Sequence, residues 1–307
     1  SFTGQAGKII QVNSAENAYE FATSATNNGV FYGLRVDTST GHLVVDNSVL
    51  GGSGTFNIGN ITTTSSTAAT IDATNAAGTV TLVLTGMNSN TTVNTGTGAA
   101  TITAVADTGL TTTVALGSGN ETTDQIIMGT TLSDITLKNF ETDAADDAID
   151  LSNSGLEGRG TGAGTDALHF LDSSTAVTTQ TVVFQSTTAS SNLDVDGGSG
   201  NVLVLGGDHA TSALVEQALE TGGTHAITLG AASAEETVTN WAIVWDDGTN
   251  SYLGVGAIET ASADDTEGTS SDGATITSIE VTTVLTLEGV SDATELVAAN
   301  LGTNFIA

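Results

Sequence analysis

The chain has 307 residues, with 4 Lys and Arg against 35 Asp and Glu, which gives a formal net charge of −31 at pH 7. So few cations exclude a protein that binds nucleic acid or an anionic membrane surface, because both need Lys and Arg against phosphate. The absence of Cys excludes disulfides and thiolate chemistry, and no apolar run approaches the roughly 18 residues of a membrane-spanning helix.

Residues 1–50 are predicted to form an N-terminal segment that contains one helix and one β-hairpin. The helix is expected over residues 13–28, where Ser14 can cap it and Phe21 lies on an apolar face. The hairpin is expected from two β-rich runs at 30–37 and 42–46. The chain starts without the cationic and apolar regions of a secretory signal, so none is predicted there.

Residues 51–130 are rich in Thr and Gly and contain short β-branched runs separated by small turn residues. The runs lie at 70–72, 79–84, 91–94, 100–105, 111–116 and 124–128. This pattern predicts an all-β protein with a few short helices, in which strands stack as a β-helix or β-roll and small residues let coils approach closely. A β-sandwich is the alternative, because periodicity alone does not separate the two folds.

Residues 131–307 are predicted to form a C-terminal β domain. A strand pair around an Asp-Asp-Gly turn, a long strand and two short helices are expected in it. The helices are placed at 210–220 and 291–300, the latter capped by Ser291 or Asp292, the strand pair at 240–245 and 251–255, and the long strand at 276–287.

Three groups of acidic and amide side chains are candidate calcium ligands, because calcium takes six to eight oxygen ligands from carboxylates and carbonyls. The groups are Asn120 with Asp124, then Asp143, Asp146, Asp147 and Asp150, and finally Asp194, Asp196 and Asp208. The alternative is a turn-rich acidic surface that keeps the protein soluble.

No catalytic constellation is visible, so no enzyme is predicted. The four histidines do not form a zinc-protease motif, and the nucleophile elbow of the α/β-hydrolases does not occur. Asp208-His209 beside a Gly-rich turn is typical of a turn or cap. Adjacent carboxylates such as Asp246-Asp247 point apart on a turn, which favours solvation or calcium over glycosidase chemistry.

Two segments carry a resemblance to a known group of proteins. Residues 135–152 (ITLKNFETDAADDAIDLS) combine an apolar strand, the pair Asn139-Phe140, an acidic stretch and a closing I-D-L-S, and residues 285–307 read LTLEGVSDATELVAANLGTNFIA. Both resemble segments of bacterial proteins exported by type I secretion, the repeats-in-toxin (RTX) group and related S-layer proteins. The resemblance covers about residues 124–307. The calcium-binding nonapeptide of that group does not occur cleanly, since 197–205 has Val202 where Asp is needed.

The resemblance implies export by a type I secretion machinery, with the signal at the C-terminal end, and a secreted, cell-surface location. It also implies Ca²⁺ as a cofactor, because a chain exported unfolded can fold on meeting external calcium.

The function predicted from these features is an extracellular structural protein that assembles with itself into a surface layer or filament. Strand donation at an open sheet edge is the expected contact. The residues expected to make it are Phe2, Ile9, Ile10 and Val12.

The alternative is a calcium-dependent adhesin or carbohydrate-binding module that contacts cell-surface polysaccharide. It would use the aromatic side chains Trp241, Trp245 and Tyr252. A secreted hydrolase acting through carboxylates such as Asp146 or Asp246 is a third hypothesis.

Overall fold

A computed structural model of the chain describes fourteen stretches of it. These are residues 8–12, 19–23, 30–36, 43–62, 68–104, 109–118, 123–128, 135–142, 147–150, 184–186, 193–194, 202–229, 240–261 and 274–301. Within them the protein is mostly β-strand, and parallel coils stack into a β-solenoid of about three turns. The predicted all-β, β-helix-like class is therefore confirmed.

Successive strands of the solenoid alternate between two parallel sheets. The first sheet contains β4 (Leu43–Gly52), β6 (Ala69–Ala76), β8 (Thr91–Asn94), β10 (Thr112–Ala115) and β12 (Ile135–Lys138). The second contains β5 (Phe56–Thr62), β7 (Val80–Gly86), β9 (Ala100–Ala104), β11 (Gln125–Met128) and β13 (Ala148–Asp150). Ala69, Thr91, Thr112 and Ile135 follow one another in register, so one turn takes about 22 residues.

The solenoid core is filled by every second residue of these strands. The strand pleat sends alternate side chains to opposite faces, and β6 to β12 alternate between buried and half-buried positions accordingly. The fully buried side chains include Leu82, Val93, Ile102, Val114 and Ile126. The β-branched runs thus form the strands and the core together.

One corner of the coils is closed by stacked glycines. A Cβ atom at Gly98 would clash with the carbonyl oxygen of Gly78, and a Cβ atom at Gly78 would clash with that of Gly54. Only glycine permits this approach of one coil to the next.

The C-terminal part continues the first sheet beyond β12. Its elements are β14 (Phe184–Ser186), β15 (Leu193–Asp194), β16 (Val202–Asp208), α1 (Ser212–Leu219), β17 (Ile227–Leu229), β18 (Asn240–Asp246), β19 (Ser251–Ala261) and β20 (Ala274–Glu288). Strand β20 pairs in parallel with β12, and β19, β18, β16 and β14 follow it in that order.

Both faces of this extended sheet are covered. Val202, Val204 and Val244 belong to the same core as the solenoid, whereas Leu205 and Trp245 pack with α1 in a second core. Two short 3-10 helices, Ala293–Glu295 and Ala298–Leu301, end the described chain.

The N-terminal segment differs from the prediction in one element. Strands β1 (Lys8–Val12) and β2 (Tyr19–Thr23) pair antiparallel, so the predicted helix at 13–28 is wrong where it covers β2. In the sequence YEFAT the aromatic residues Tyr19 and Phe21 stand two positions apart with Glu20 between them, and this period of two suits a strand. Strand β3 (Val30–Val36) pairs antiparallel with β4, which confirms the predicted hairpin.

The other predicted elements are largely confirmed. Each β-branched run between residues 70 and 128 overlaps a strand, α1 lies within 210–220, and β18, β19 and β20 contain the predicted strands. The expected helix at 291–300 is instead the pair of 3-10 helices, with Asp292 capping the first. The stacked coils also continue past residue 130 to β13.

Candidate functional site

Two aspartates at the same corner of successive coils join the coils through their carboxylates. Gln125 pairs with Ala148, which places Asp124 beside Asp147. The backbone N–H of Ala100 donates to Oδ1 of Asp124 at 2.7 Å, and that of Asp124 donates to Oδ1 of Asp147 at 3.2 Å. Each carboxylate therefore accepts a backbone N–H from the preceding coil. We call Asp124 and Asp147 the aspartate ladder.

Asp124 is the electrostatically perturbed member of the ladder. Burial raises the pKa of its carboxyl from 3.8 to about 7; the hydrogen bond from Ala100 opposes this rise, and the nearby Asp147 and Glu141 reinforce it. Its Oδ2 atom is buried and has no hydrogen-bond partner. Near neutral pH this oxygen can therefore hold a proton, or a cation in its place.

Asp147 and Asp150 are also buried and hydrogen bonded within the protein. Oδ2 of Asp147 accepts the backbone N–H of Glu141 at 2.8 Å, and Oδ2 of Asp150 accepts Nε2 of Gln125 at 3.3 Å. These bonds give both carboxylates a structural role at the coil corner.

The other candidate calcium ligands are not brought together in the described residues. Asp194 of β15 lies beside Thr228 of β17, whereas Asp208 of β16 lies beside Asp246 of β18. Asn120, Asp143, Asp146 and Asp196 lie outside the described residues, as does Phe2. Within the described ranges no three His, Asp or Glu side chains are grouped to hold a metal ion. Calcium binding stays a prediction.

The last described residues cap the C-terminal end of the second sheet. Nδ2 of Asn300 donates to the carbonyl oxygens of Asp147 at 2.9 Å and Glu141 at 3.3 Å, and its Oδ1 accepts the N–H of Val297. The side chains of Leu296 and Leu301 are buried in the solenoid core. This segment, which we call the C-terminal cap (residues 289–301), therefore covers the edge next to β13.

The hairpin between β18 and β19 holds the cap in place. Oδ2 of Asp246 accepts the N–H of Ala293 at 3.0 Å, and Oδ1 of Asn250 accepts the N–H of Gly289 at 3.0 Å. Oγ of Ser251 donates to the carbonyl of Val290 at 2.9 Å. Asp246 is buried and committed to this contact, which gives it a structural role.

Trp245 is unsuited to the sugar-stacking role considered for it. Its side chain is 1% exposed, packs in the core beneath α1 and stacks on Tyr252 at a centroid distance of 5.4 Å. The hydroxyl of Tyr252 donates to Oδ2 of Asp247 at 2.6 Å, and this bond lowers the pKa of Asp247. The carbohydrate-binding alternative thus loses one of its three aromatic residues.

The Asn139-Phe140 pair also has a structural role. Asn139 adopts a left-handed conformation with φ of 59°, and its Nδ2 donates to the carbonyl of Leu116 one coil earlier. The neighbouring Phe140 is buried in the solenoid core.

The opposite end of the second sheet is open in the part of the chain that the structure describes. There β5 pairs only with β7. The N–H of Phe56 donates to the carbonyl of Thr79, so the N–H and C=O of Asn57 point away from β7. The strand FNIGNIT carries no charge and no Pro, which are the usual means of protecting an edge.

Comparisons with protein families, curated proteins and solved structures find no match to this chain. None of the helices within the described ranges is both long and apolar enough to cross a membrane.

Proposed function

We propose that this chain is an extracellular structural protein that assembles with copies of itself into a surface layer or filament. The observation that carries the proposal is the difference between the two ends of the second sheet. One end is covered by the C-terminal cap, while β5 at the other end presents unpaired backbone groups among the described strands. Such an edge is suited to adding a strand from another chain.

The strand that we propose to add is β1 of a second copy. Among the described strands β1 pairs only with β2, so the hairpin of β1 and β2 has a second edge on β1. Residues 1–15 contain Lys8 and no acidic residue, in a chain whose net charge is −31. This segment therefore meets less electrostatic repulsion from another copy than the acidic remainder does.

Calcium and salt enter the proposal as conditions for assembly. Copies that each carry a charge of −31 repel one another until ions screen or bind the carboxylates. The buried, unpartnered Oδ2 of Asp124 supports a cation requirement at the aspartate ladder. The proposal includes export by a type I secretion machinery, because residues 285–307 resemble the C-terminal segments of proteins that such machineries export.

Negative-stain electron microscopy tests the proposal. Purified protein is dialysed into EDTA and then into millimolar calcium, at low and high protein concentration. Lattices or fibres that form with calcium are the expected result. Dispersed monomers at every concentration, calcium level and ionic strength would refute self-assembly.

A pair of variants at Asn57 tests the proposed edge. Asn57→Pro removes an outward-pointing N–H and leaves the hydrogen bonds to β7 intact, because Pro is tolerated on edge strands. Asn57→Ala retains that N–H and serves as the matched control. We expect assembly to be lost in the Pro variant and kept in the Ala variant, with unchanged circular dichroism. Equal assembly of both variants would show that copies join elsewhere.

A further inference from the structure

We infer that His209 and His225 together bind one divalent transition-metal ion of the kind that prefers imidazole, such as Zn²⁺. The two rings lie edge to face, with centroids 5.9 Å apart and an interplanar angle of 71°. His209 Nε2 and His225 Nδ1 are both buried and without a hydrogen-bond partner. A buried polar atom in this state calls for a water or an ion.

His209 is oriented as a metal ligand would be. It follows β16, and its backbone N–H donates to the carbonyl of Asp246 at 2.7 Å. Its ring donates a hydrogen bond to the backbone of Gly206, and since Nε2 is unpartnered, Nδ1 is the donor. When a neutral histidine donates one ring N–H to a backbone carbonyl, its other ring nitrogen is unprotonated and offers a lone pair, as is usual in metal sites.

The charge state of His209 agrees with this geometry. Burial lowers the pKa of its imidazole, the hydrogen bond to Gly206 opposes the effect, and the neighbouring His225 reinforces it. The ring is therefore neutral near pH 7, as metal coordination requires. The carboxylates of Asp208 and Asp246 add a negative potential at the ring.

His225 lies at the other end of α1 from His209. The residue is 2% exposed, and its backbone N–H donates to the carbonyl of Ala218 at 2.8 Å near the end of the helix. The two histidines thus bracket α1, whose N-cap is Thr211. A shared ion would fix the segment before the helix to the segment after it.

The spacing fits two imidazoles on one ion. A Zn–N bond of about 2.0–2.1 Å places the ring centroids of two ligands roughly 5–6 Å apart. Zinc, copper and nickel suit imidazole, whereas calcium prefers oxygen.

Zinc titration of the full chain tests the inference. Calorimetry is performed after chelation and dialysis, in a buffer with millimolar magnesium to occupy exposed carboxylates. We expect one zinc per chain, at least tenfold weaker binding in both His209→Gln and His225→Gln, and unchanged binding in His42→Gln. In the wild-type protein, the imidazole ¹⁵N signals of two histidines only should shift when zinc is added. This measurement needs no variant, so it holds even if the substituted chains fail to fold.

Three outcomes would overturn the inference. No zinc binding to the wild-type chain would exclude the site directly. Binding that is equal in the wild type and both site variants would place zinc on carboxylates. Wild-type imidazole signals that do not respond to zinc would exclude coordination even if the variants failed to fold. None of these results bears on self-assembly.

Discussion

At the scale of single residues, Asp124 shows how stacking coils changes the chemistry of a side chain. The N–H of Ala100 donates to the carboxylate of Asp124 on the next coil instead of to a backbone carbonyl. This position buries the carboxylate beside Asp147. The raised pKa follows from burial first and from the neighbouring carboxylates second. The same side chain on an exposed turn would stay ionised.

The raised pKa predicts how stability changes with pH. Between about pH 4 and 7 the folded state keeps a proton on Asp124 that the unfolded state has lost, so this residue's contribution falls as pH rises. The contribution reaches roughly 4 kcal/mol at most. Asp124→Asn keeps an acceptor for the N–H of Ala100, so we expect the variant to be more stable than the wild type at pH 8. This advantage in unfolding free energy should be smaller at pH 4.5, where the wild-type carboxyl is protonated in the folded state. Urea unfolding in EDTA measures this difference.

The exposed Asp208→Asn variant is the control for that experiment, because it removes one charge without relieving burial. We expect its unfolding free energy relative to the wild type to change less between pH 4.5 and pH 8 than that of Asp124→Asn. If Asp208→Asn and Asp124→Asn behaved alike, general charge repulsion rather than burial would explain the effect.

The glycine corner gives a second prediction at the residue scale. Gly98→Ala places a methyl group against the backbone of Gly78, where nothing flexible can yield, so we expect a loss of roughly 3 kcal/mol. Gly109→Ala is the control, because Gly109 has φ of +84° and open space around it. Its expected loss is about 1 kcal/mol from backbone strain alone. Equal losses by urea denaturation would contradict the stacking interpretation.

At the scale of elements, the C-terminal cap closes a sheet edge that would otherwise expose carbonyl groups. The amide of Asn300 donates twice to this edge and accepts the N–H of Val297 within the cap, and its side chain is fully buried. The hairpin residues Asp246, Asn250 and Ser251 hold the cap from the other side. The cap therefore depends on residues far apart in the sequence.

Removing the Asn300 side chain should loosen the end of the solenoid. Asn300→Ala leaves carbonyls of Glu141 and Asp147 without this donor, and we expect a loss of about 2 kcal/mol together with faster amide exchange in β13. Val297→Ala in the same segment is the control, because Val297 is exposed. Slow exchange of β13 in the Asn300 variant would show that the cap is held without it.

The sequence predicted strands better than it predicted how they pair. Alternating β-branched residues located the solenoid strands, and the amphipathic run located α1. The choice between a solenoid and a sandwich depends on which strands pair, and here the paired strands lie about 22 residues apart in the sequence. The local pattern of β-branched residues does not reveal such pairing. Strand β2 was missed because Phe21 and its alanine neighbours also fit a helical face.

The candidate site was less predictable than the fold. Asp124 and Asp147 stood out as acidic residues, but their contact with backbone N–H groups arises only when coils stack. His209 and His225 looked isolated because α1 separates them in the sequence. The Gly-rich turn beside His209 was the only local signal near this pair.

At the scale of the whole molecule, the formal charge of −31 means that carboxylates repel one another across the folded chain. Repulsion among carboxylates weakens as salt shortens the screening length from roughly 30 Å at 0.01 M to 8 Å at 0.15 M. We therefore expect the urea midpoint to rise with NaCl over this range in EDTA. An equal rise with KCl would confirm general screening, and a midpoint independent of salt would contradict this prediction.

The register of the coils also gives the molecule a fixed unit of length. Each coil contacts only its two neighbours, and adjacent parallel strands lie about 4.8 Å apart. Duplication or loss of one coil of about 22 residues would therefore lengthen or shorten the solenoid by that distance. The length of the solenoid is therefore set in steps of one coil, without any change to the residues that fill the core of the remaining coils.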